Sequence, residues 1–186
     1  MSEQFKWCLY QNCSPTLRRV KPSNIFTLHK EKYPNWQQDL AECRNTLRRY
    51  GYDMVLLQEN DRFLVVMVYC PDALRRCLRQ TELRRYLQGM GYQEALPLEA
   101  KLTLLSHRFQ QDSFPHEIGL FLGYPLDDVT GFIANKGENC KYSGEWKVYG
   151  DVNRAKRLFR AYQDSRSSVI DQASHGMELD DILRAC

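Results

Sequence analysis

Apolar residues recur along most of the chain at the spacing of helices. The clearest helical segment is 36–50, in which the apolar positions are Trp36, Leu40, Cys43, Leu47 and Tyr50. Steps of three and four residues place these side chains on one face of a helix. Asn35 and Gln38 are predicted to form a capping box at its start, and Gly51 is predicted to end it in the left-handed conformation.

Other segments alternate or are continuously apolar over strand-sized lengths. The runs 53–58 and 62–69 are separated by a short polar loop, which predicts a hairpin. The second run is apolar on both faces and is therefore predicted to be a central strand. Segments 24–28 and 145–149 are predicted to add further strands to the same sheet.

Helices account for most of the remaining periodic segments. They are predicted as two short helices within 71–92, at 98–110, and from Asp151 through Tyr162. Residues 3–12 fit a helix with Ser2 as cap, which we favour, and also fit the alternation of a strand. Helices and hairpin strands do not alternate regularly along the chain. We therefore predict an α+β fold, a small and mostly antiparallel sheet with helices packed on it.

The end of the chain differs in character from the rest. Periodicity is lost after Ser165, and residues 166–186 are mainly polar. We predict a single α+β domain over 1–165, followed by a mobile tail over 166–186 with one helical turn near its end.

Composition narrows the class of protein. The 186 residues are 43% hydrophobic, which argues against intrinsic disorder, and the longest apolar run, 63–70, is too short for a membrane span. The first residues carry no secretion signal, so a cytoplasmic location is expected. The seven cysteines are an odd number without a Cys-x-x-Cys pair, and are therefore expected to be free thiols.

The stretch 114–132 combines helix-capping residues with potentially reactive ones. Ser113 is predicted to cap a helix over 115–122 that has His116 and Glu117 in its first turn, and Pro125 to open a second helix. Helix capping and the attraction of the helix dipole are sufficient to explain the carboxylates in the first turns of these two helices, without any functional site. The alternative is a functional site, in which a neutral His116 at a helix N-terminus acts as a base or a hydrogen-bond donor.

Three segments resemble a known family. They are "FPHEIGLFLGYPLDDVTGFI", "GEWKVYGD" and "NCSPTLRRVKPSNIF". Over about residues 8–165 the chain resembles a bacterial domain of unknown function, number thirty-seven ninety-three, found in small proteins of anaerobic bacteria. The resemblance implies a cytoplasmic bacterial protein without an assigned activity. The family pattern falls on Cys13, Pro15, Thr16, Leu17, Lys21, Asn24, the block 114–125, Trp146, Lys147 and Tyr149.

Cys13 is the candidate nucleophile. Basic residues follow it closely in the sequence and would lower the pKa of its thiol: Arg18, Arg19 and Lys21. A catalytic relay of Cys13, His116 and Glu117 is one hypothesis, with Asp128 as an alternative partner of the histidine. The competing interpretation is that Cys13 is a small buried core residue.

A ligand site is predicted where three segments converge, namely "NCSPTL", the start of 115–122, and "WKVY". The predicted ligand-binding residues are Lys21, Asn24, Tyr124, Lys147 and Tyr149. A small anion is the expected ligand. No pair of residues has the spacing of a structural zinc site, so no metal site is predicted, and the sequence identifies no cofactor.

A second hypothesis is a non-catalytic interaction module. The arginine-rich helices within 71–90 would then dock an acidic protein partner through Arg75, Arg76, Arg79, Arg84 and Arg85. A solvated helical surface would have the same composition. The small net charge of +3 and the lack of a binding motif argue against nucleic acid.

Overall fold

A computed structural model describes residues 1–111 and 114–185. These residues form nine helices and five strands, which confirms the predicted α+β class. In chain order they are α1 (Glu3–Leu17), β1 (Ser23–His29), α2 (Trp36–Arg49), β2 (Asp53–Glu59), β3 (Phe63–Tyr69), α3 (Pro71–Leu78), α4 (Thr81–Gly89), α5 (Leu98–Phe109), α6 (Ile118–Phe121), α7 (Leu126–Ala134), β4 (Tyr142–Ser143), β5 (Lys147–Val148), α8 (Val152–Ser174) and α9 (Leu179–Arg184).

The main sheet has three antiparallel strands in the order β1-β3-β2. The hairpin and the central position of β3 are thus confirmed. The prediction that 145–149 joins this sheet is wrong, because β5 pairs with β4 in a separate two-stranded hairpin. Gly144 turns the chain back at once, so both short strands find their hydrogen bonds locally.

The side chains of β3 alternate between two hydrophobic cores. Leu64, Val66 and Val68 face the core built with α1, α2 and α9. Met67 and Tyr69 face the second core, which contains residues of α3 to α7. A smaller third core joins the β4-β5 hairpin to α8 around Trp146.

In place of the predicted polar tail, residues 166–185 form the end of α8 and the whole of α9. Val169, Leu179 and Ile182 are fully buried in the core beside α1. The mobile tail was predicted because this segment is mostly polar. Only a narrow stripe of apolar residues runs through it, and this stripe is the part that is buried. A turn at Gly176, where φ is +86°, brings α9 back against α1 and α2.

Some of the predicted helix caps are formed and others are not. The Ser2 hydroxyl accepts a hydrogen bond from the Phe5 amide, as predicted, and Gly51 has φ +80° after α2. The capping box of α2 is not formed. Asn35 makes no side-chain cap bond, and the Gln38 amide donates to Glu42 in the next turn instead.

Candidate functional site

The segment 114–132 folds into two short helices that meet closely. The predicted helix over 115–122 is shorter than expected, since α6 covers only Ile118–Phe121; the predicted cap Ser113 lies outside the described residues. A Cβ atom added to Gly119 would lie 2.8 Å from a Val129 methyl carbon. Glycine therefore lets α6 and α7 approach each other, and Gly123, with φ +80°, allows the turn between them.

A cavity of about 320 Å³ opens beside these helices. Its walls come from β1, α6, α7, β5 and the segments that adjoin them. They are formed by Ile25, Phe114, His116, Ile118, Gly119, Leu122, Tyr124, Asp128, Val129, Phe132, Trp146 and Lys147. We call this space the aromatic cavity, because rings line much of its wall.

Asp128 fixes one wall of the aromatic cavity to another. Its side chain is only 2% exposed. One carboxylate oxygen accepts from the indole N–H of Trp146 at 2.7 Å, and the other accepts from the amides of Tyr149 and Gly150 at 2.7 and 2.8 Å. Asp128 lies in the first turn of α7, as the sequence predicted, and its three hydrogen bonds make it the anchor of the β4-β5 hairpin on this helix.

The stacked rings of Tyr124 and Trp146 form another part of the wall. Their centroids are 4.5 Å apart and their planes differ by 24°. Lys21 lies against this stack, with its ammonium nitrogen 4.8 Å from the centre of the Tyr124 ring and 5.4 Å from that of Tyr162. Burial lowers the pKa of Lys21 to about 8 and raises that of Tyr124 to about 12.

His116 and Lys147 provide exposed polar groups on the cavity lining. The imidazole lies between two phenylalanine rings, 5.6 Å from the Phe114 centroid and 5.2 Å from that of Phe132. The Lys147 ammonium donates to the Gly137 carbonyl at 2.5 Å. Three predicted site residues, His116, Lys147 and Tyr124, therefore share one cavity.

Cys13 is not part of this cavity, and the expected convergence with His116 is wrong. Its side chain is fully buried in the core between α1 and β1, and burial raises the pKa of its thiol well above the usual range. The neighbouring arginines point elsewhere. Arg18 binds Gln172 on α8, and Arg19 lies over the Tyr52 ring. The core interpretation of Cys13 is the one that fits its surroundings.

Glu117 also lies outside the cavity lining, so the relay with His116 is not formed. It is 3% exposed and is paired with Arg108 at 3.1 Å. The hydroxyl of Tyr92 donates to the same carboxylate oxygen at 3.1 Å. Burial raises the pKa of Tyr92, and the charge of Glu117 adds to this effect. Glu117 thus ties the segment before α6 to α5.

The remaining predicted ligand-binding residues make structural contacts. The Asn24 side-chain oxygen accepts from the Thr16 hydroxyl at 2.7 Å and from its amide at 3.2 Å, which joins α1 to β1. The Tyr149 hydroxyl donates to the Glu138 carbonyl at 2.8 Å. Neither these two residues nor Lys21 belongs to the lining of the aromatic cavity.

Two further properties bear on the kind of protein. Within the described ranges 1–111 and 114–185, no group of three or more His, Cys, Asp or Glu side chains is arranged to hold a metal ion. Over the same residues, no helix combines the length and apolarity needed to cross a bilayer. The six described cysteines are all free thiols.

The fold and the cavity define an α+β protein with an aromatic pocket at the junction of a helix pair and a small hairpin. The model of a family described as "Protein of unknown function (DUF3793)" matches residues 9–183, and the chain belongs to this family. The resemblance found in the sequence is thereby confirmed. No curated protein and no solved structure matches the chain.

Proposed function

We propose that the aromatic cavity binds a small, flat, apolar molecule that carries a negatively charged group. The observation that carries this proposal is the pair of exposed polar side chains, His116 and Lys147, on an otherwise largely apolar and aromatic lining. Ligand sites in proteins commonly have this composition, in which apolar walls supply the affinity and a few polar groups fix the orientation.

The size of the cavity supports a small ligand. A volume of about 320 Å³ lies at the lower end of the range that binding pockets occupy. Such a space accommodates one or two fused rings with a substituent. A larger cofactor would extend well beyond the walls.

The shape of the walls supports a planar ligand. The rings of Phe114, Phe132, Tyr124 and Trp146 all contribute to the lining. Aromatic rings prefer offset-stacked or edge-to-face contacts with other rings, worth about 0.5–1.5 kcal/mol for each pair. Asp128 holds Trp146 in place through its indole N–H, so the wall is ordered before a ligand arrives.

Lys147 supports the negative charge of the ligand. Its ammonium is held by a neutral carbonyl, that of Gly137, and can exchange this hydrogen bond for a carboxylate at little cost. The acidic side chain of the lining, Asp128, already accepts three N–H groups. The ligand charge is therefore expected at the Lys147 side of the cavity.

The geometry favours binding over thiol chemistry. A thiol nucleophile requires a low pKa and access to substrate, whereas Cys13 is buried and its pKa is raised. His116 can still donate a hydrogen bond to a ligand. This role needs no partner carboxylate, unlike a relay through Glu117.

The proposal is tested by titrating the protein with 2-naphthoate in a calorimeter. Lys147→Gln is expected to weaken binding about three- to tenfold, because it removes the charge nearest to the ligand carboxylate. The uncharged 2-naphthamide is expected to bind wild type more weakly than 2-naphthoate does. With Lys147→Gln this preference is expected to disappear.

Lys141→Gln is the matched control. Lys141 lies next to the same hairpin and also donates to a glycine carbonyl, that of Gly150 at 3.1 Å, but it does not line the cavity. Its substitution is expected to change 2-naphthoate binding less than twofold. Equal effects of the two substitutions, or the absence of any binding, would contradict the proposed site.

A further inference from the structure

A second concave surface lies between α3, α4 and the start of α5. It has a volume of about 550 Å³. It is lined by Arg75, Leu78, Arg79, Arg84, Glu94, Leu96, Pro97, Leu98 and Lys101. We call it the basic cleft; it shares no residue with the aromatic cavity.

Cations outnumber carboxylates in the basic cleft. Four of its lining side chains are basic and one, Glu94, is acidic. Arg84 pairs with Glu94 at 2.6 Å, and Arg75 pairs with Asp72 and Glu99 at 3.1 and 3.5 Å. Arg79 forms no ion pair with any residue of the described ranges, so its guanidinium remains available to a ligand.

Two donors of the basic cleft are poorly satisfied. The Nε atom of Arg84 is buried and, among the residues that the structure describes, has no hydrogen-bond partner. The Lys101 ammonium donates to the Glu94 carbonyl at a long distance of 3.4 Å. Burial lowers the pKa of Lys101; the charge of Glu94 opposes this shift, and the positive charge of Arg79 adds to it. Crowded cations in a recess are stabilised by an anion placed among them.

We propose that the basic cleft binds a small phosphorylated molecule with at least two adjacent phosphate groups. Guanidinium groups match phosphate oxygens in pairs, and three arginines with one lysine can contact two phosphates at once. Leu96, Pro97 and Leu98 give one side of the cleft an apolar surface for the organic part of such a ligand.

The concave shape favours a small anion over an acidic protein. A docked protein would cover the outer surfaces of α3 and α4 as well, and would contact Arg76 and Arg85, which are exposed and lie outside the cleft lining. A small anion would contact only the lining residues. These two arginines therefore distinguish the two kinds of partner.

The test uses inorganic pyrophosphate as the probe, titrated into the whole protein at low ionic strength. Arg79→Gln and Lys101→Gln are each expected to weaken binding about tenfold. Arg76→Gln on α3 and Arg85→Gln on α4 are expected to weaken it less than twofold. Orthophosphate is expected to bind more weakly than pyrophosphate, and added salt is expected to weaken both.

The Tm of each variant, measured without ligand, shows whether a loss of binding is caused by a loss of folded structure. Arg79→Gln removes a charge that forms no ion pair within residues 1–111 and 114–185, and it is expected to leave Tm unchanged or slightly raised. The proposal is overturned if pyrophosphate does not bind, or if all four substitutions weaken it equally. It is also overturned if a poly-glutamate peptide binds more tightly than pyrophosphate and depends on Arg76 and Arg85, since that result assigns the surface to an acidic protein.

Discussion

At the scale of single residues, Asp128 connects the two halves of the cavity wall. Its two oxygens accept three N–H groups, one from the Trp146 side chain and two from the backbone of the hairpin end. A buried charge is tolerated only when it is satisfied in this way. The same carboxylate therefore contributes both to stability and to the order of the aromatic wall.

Asp128→Asn is expected to lower the free energy of unfolding by about 2–4 kcal/mol. The amide replaces one acceptor oxygen with a donor, so at least one buried N–H loses its partner. Asp127→Asn, at the neighbouring exposed position, is expected to cost less than about 0.5 kcal/mol. Urea unfolding curves of the two variants provide the comparison. Similar stabilities would show that Asp128 has no special structural role.

Lys21 is a buried cation held against two tyrosine rings. Its side chain is 5% exposed, and burial lowers its pKa to about 8. Among the titratable groups around it, Glu145 and Cys13 oppose this shift and Arg166 adds to it. In the unfolded chain the lysine retains its ordinary pKa of about 10.5.

The sign of the resulting pH dependence follows from proton counting. Between pH 8 and 10.5 the unfolded chain binds more protons at Lys21 than the folded protein does, so the contribution of this residue to stability rises with pH. Lys21→Met abolishes this contribution. The stability of wild type relative to the variant is therefore expected to rise by about 2 kcal/mol between pH 7 and pH 10.

Stability measured by urea unfolding at both pH values checks this expectation. Buried thiols and phenols titrate in both proteins, so the difference between the proteins isolates the lysine. Lys141→Met serves as the exposed control and is expected to show no such trend. A pH-independent difference between wild type and Lys21→Met would mean that the lysine keeps its ordinary pKa in the fold.

At the scale of elements, helix α1 contains a proline in its last turns that is compensated from another helix. Pro15 has no N–H to donate to the carbonyl of Gln11. The Arg166 side chain of α8 donates to that carbonyl at 3.0 Å, and its guanidinium also pairs with Glu145 at 3.3 Å. Arg166, the first residue of the predicted mobile tail, therefore connects α8 to α1.

This arrangement predicts coupling between Pro15 and Arg166. Arg166→Met is expected to cost about 1–1.5 kcal/mol in the wild-type background, because it removes a charge-assisted hydrogen bond to the carbonyl of Gln11. In a Pro15→Ala background the helix supplies its own N–H, and the cost is expected to fall by about 1 kcal/mol. Unfolding of the four proteins of this double-mutant cycle measures the coupling. Additive effects would mean that Arg166 does not compensate for the proline.

The sequence predicted those helices and strands that can be recognised from hydrophobic periodicity within a single segment. The stripe of Trp36, Leu40 and Leu47 located α2, and the apolar run of β3 identified the central strand. The partner of 145–149 was missed because β4 has only two residues, too few for a periodic pattern. The burial of α9 was not predicted because it depends on contact with α1 and α2, which are distant in sequence.

At the scale of the whole molecule, the candidate site was predictable only in part. His116 and Tyr124 lie close together in one sequence block, and the family resemblance added Lys147. The position of Cys13 depends on how α1 packs against the sheet, which no motif encodes. Glu117 was assigned to chemistry because its partner Arg108 lies on a separate element.

The two proposed ligand sites differ in chemical character. The aromatic cavity combines rings with Lys147 and His116, whereas the basic cleft combines three arginines with a lysine. Because they share no lining residue, each site can be altered without changing the other. Variants at one site therefore serve as folding controls for experiments at the other.

The aromatic cavity is the central claim, and the three tryptophans allow it to be tested directly. Trp146 lines the cavity, whereas Trp7 and Trp36 pack against the core on the other face of the sheet. The measurement is a titration of ¹⁵N-labelled protein with 2-naphthoate, followed through the three indole N–H signals in NMR spectra. Binding in the cavity predicts a saturable shift of the Trp146 signal while those of Trp7 and Trp36 remain in place. An unchanged Trp146 signal, or equal shifts of all three, would contradict a ligand site at this position.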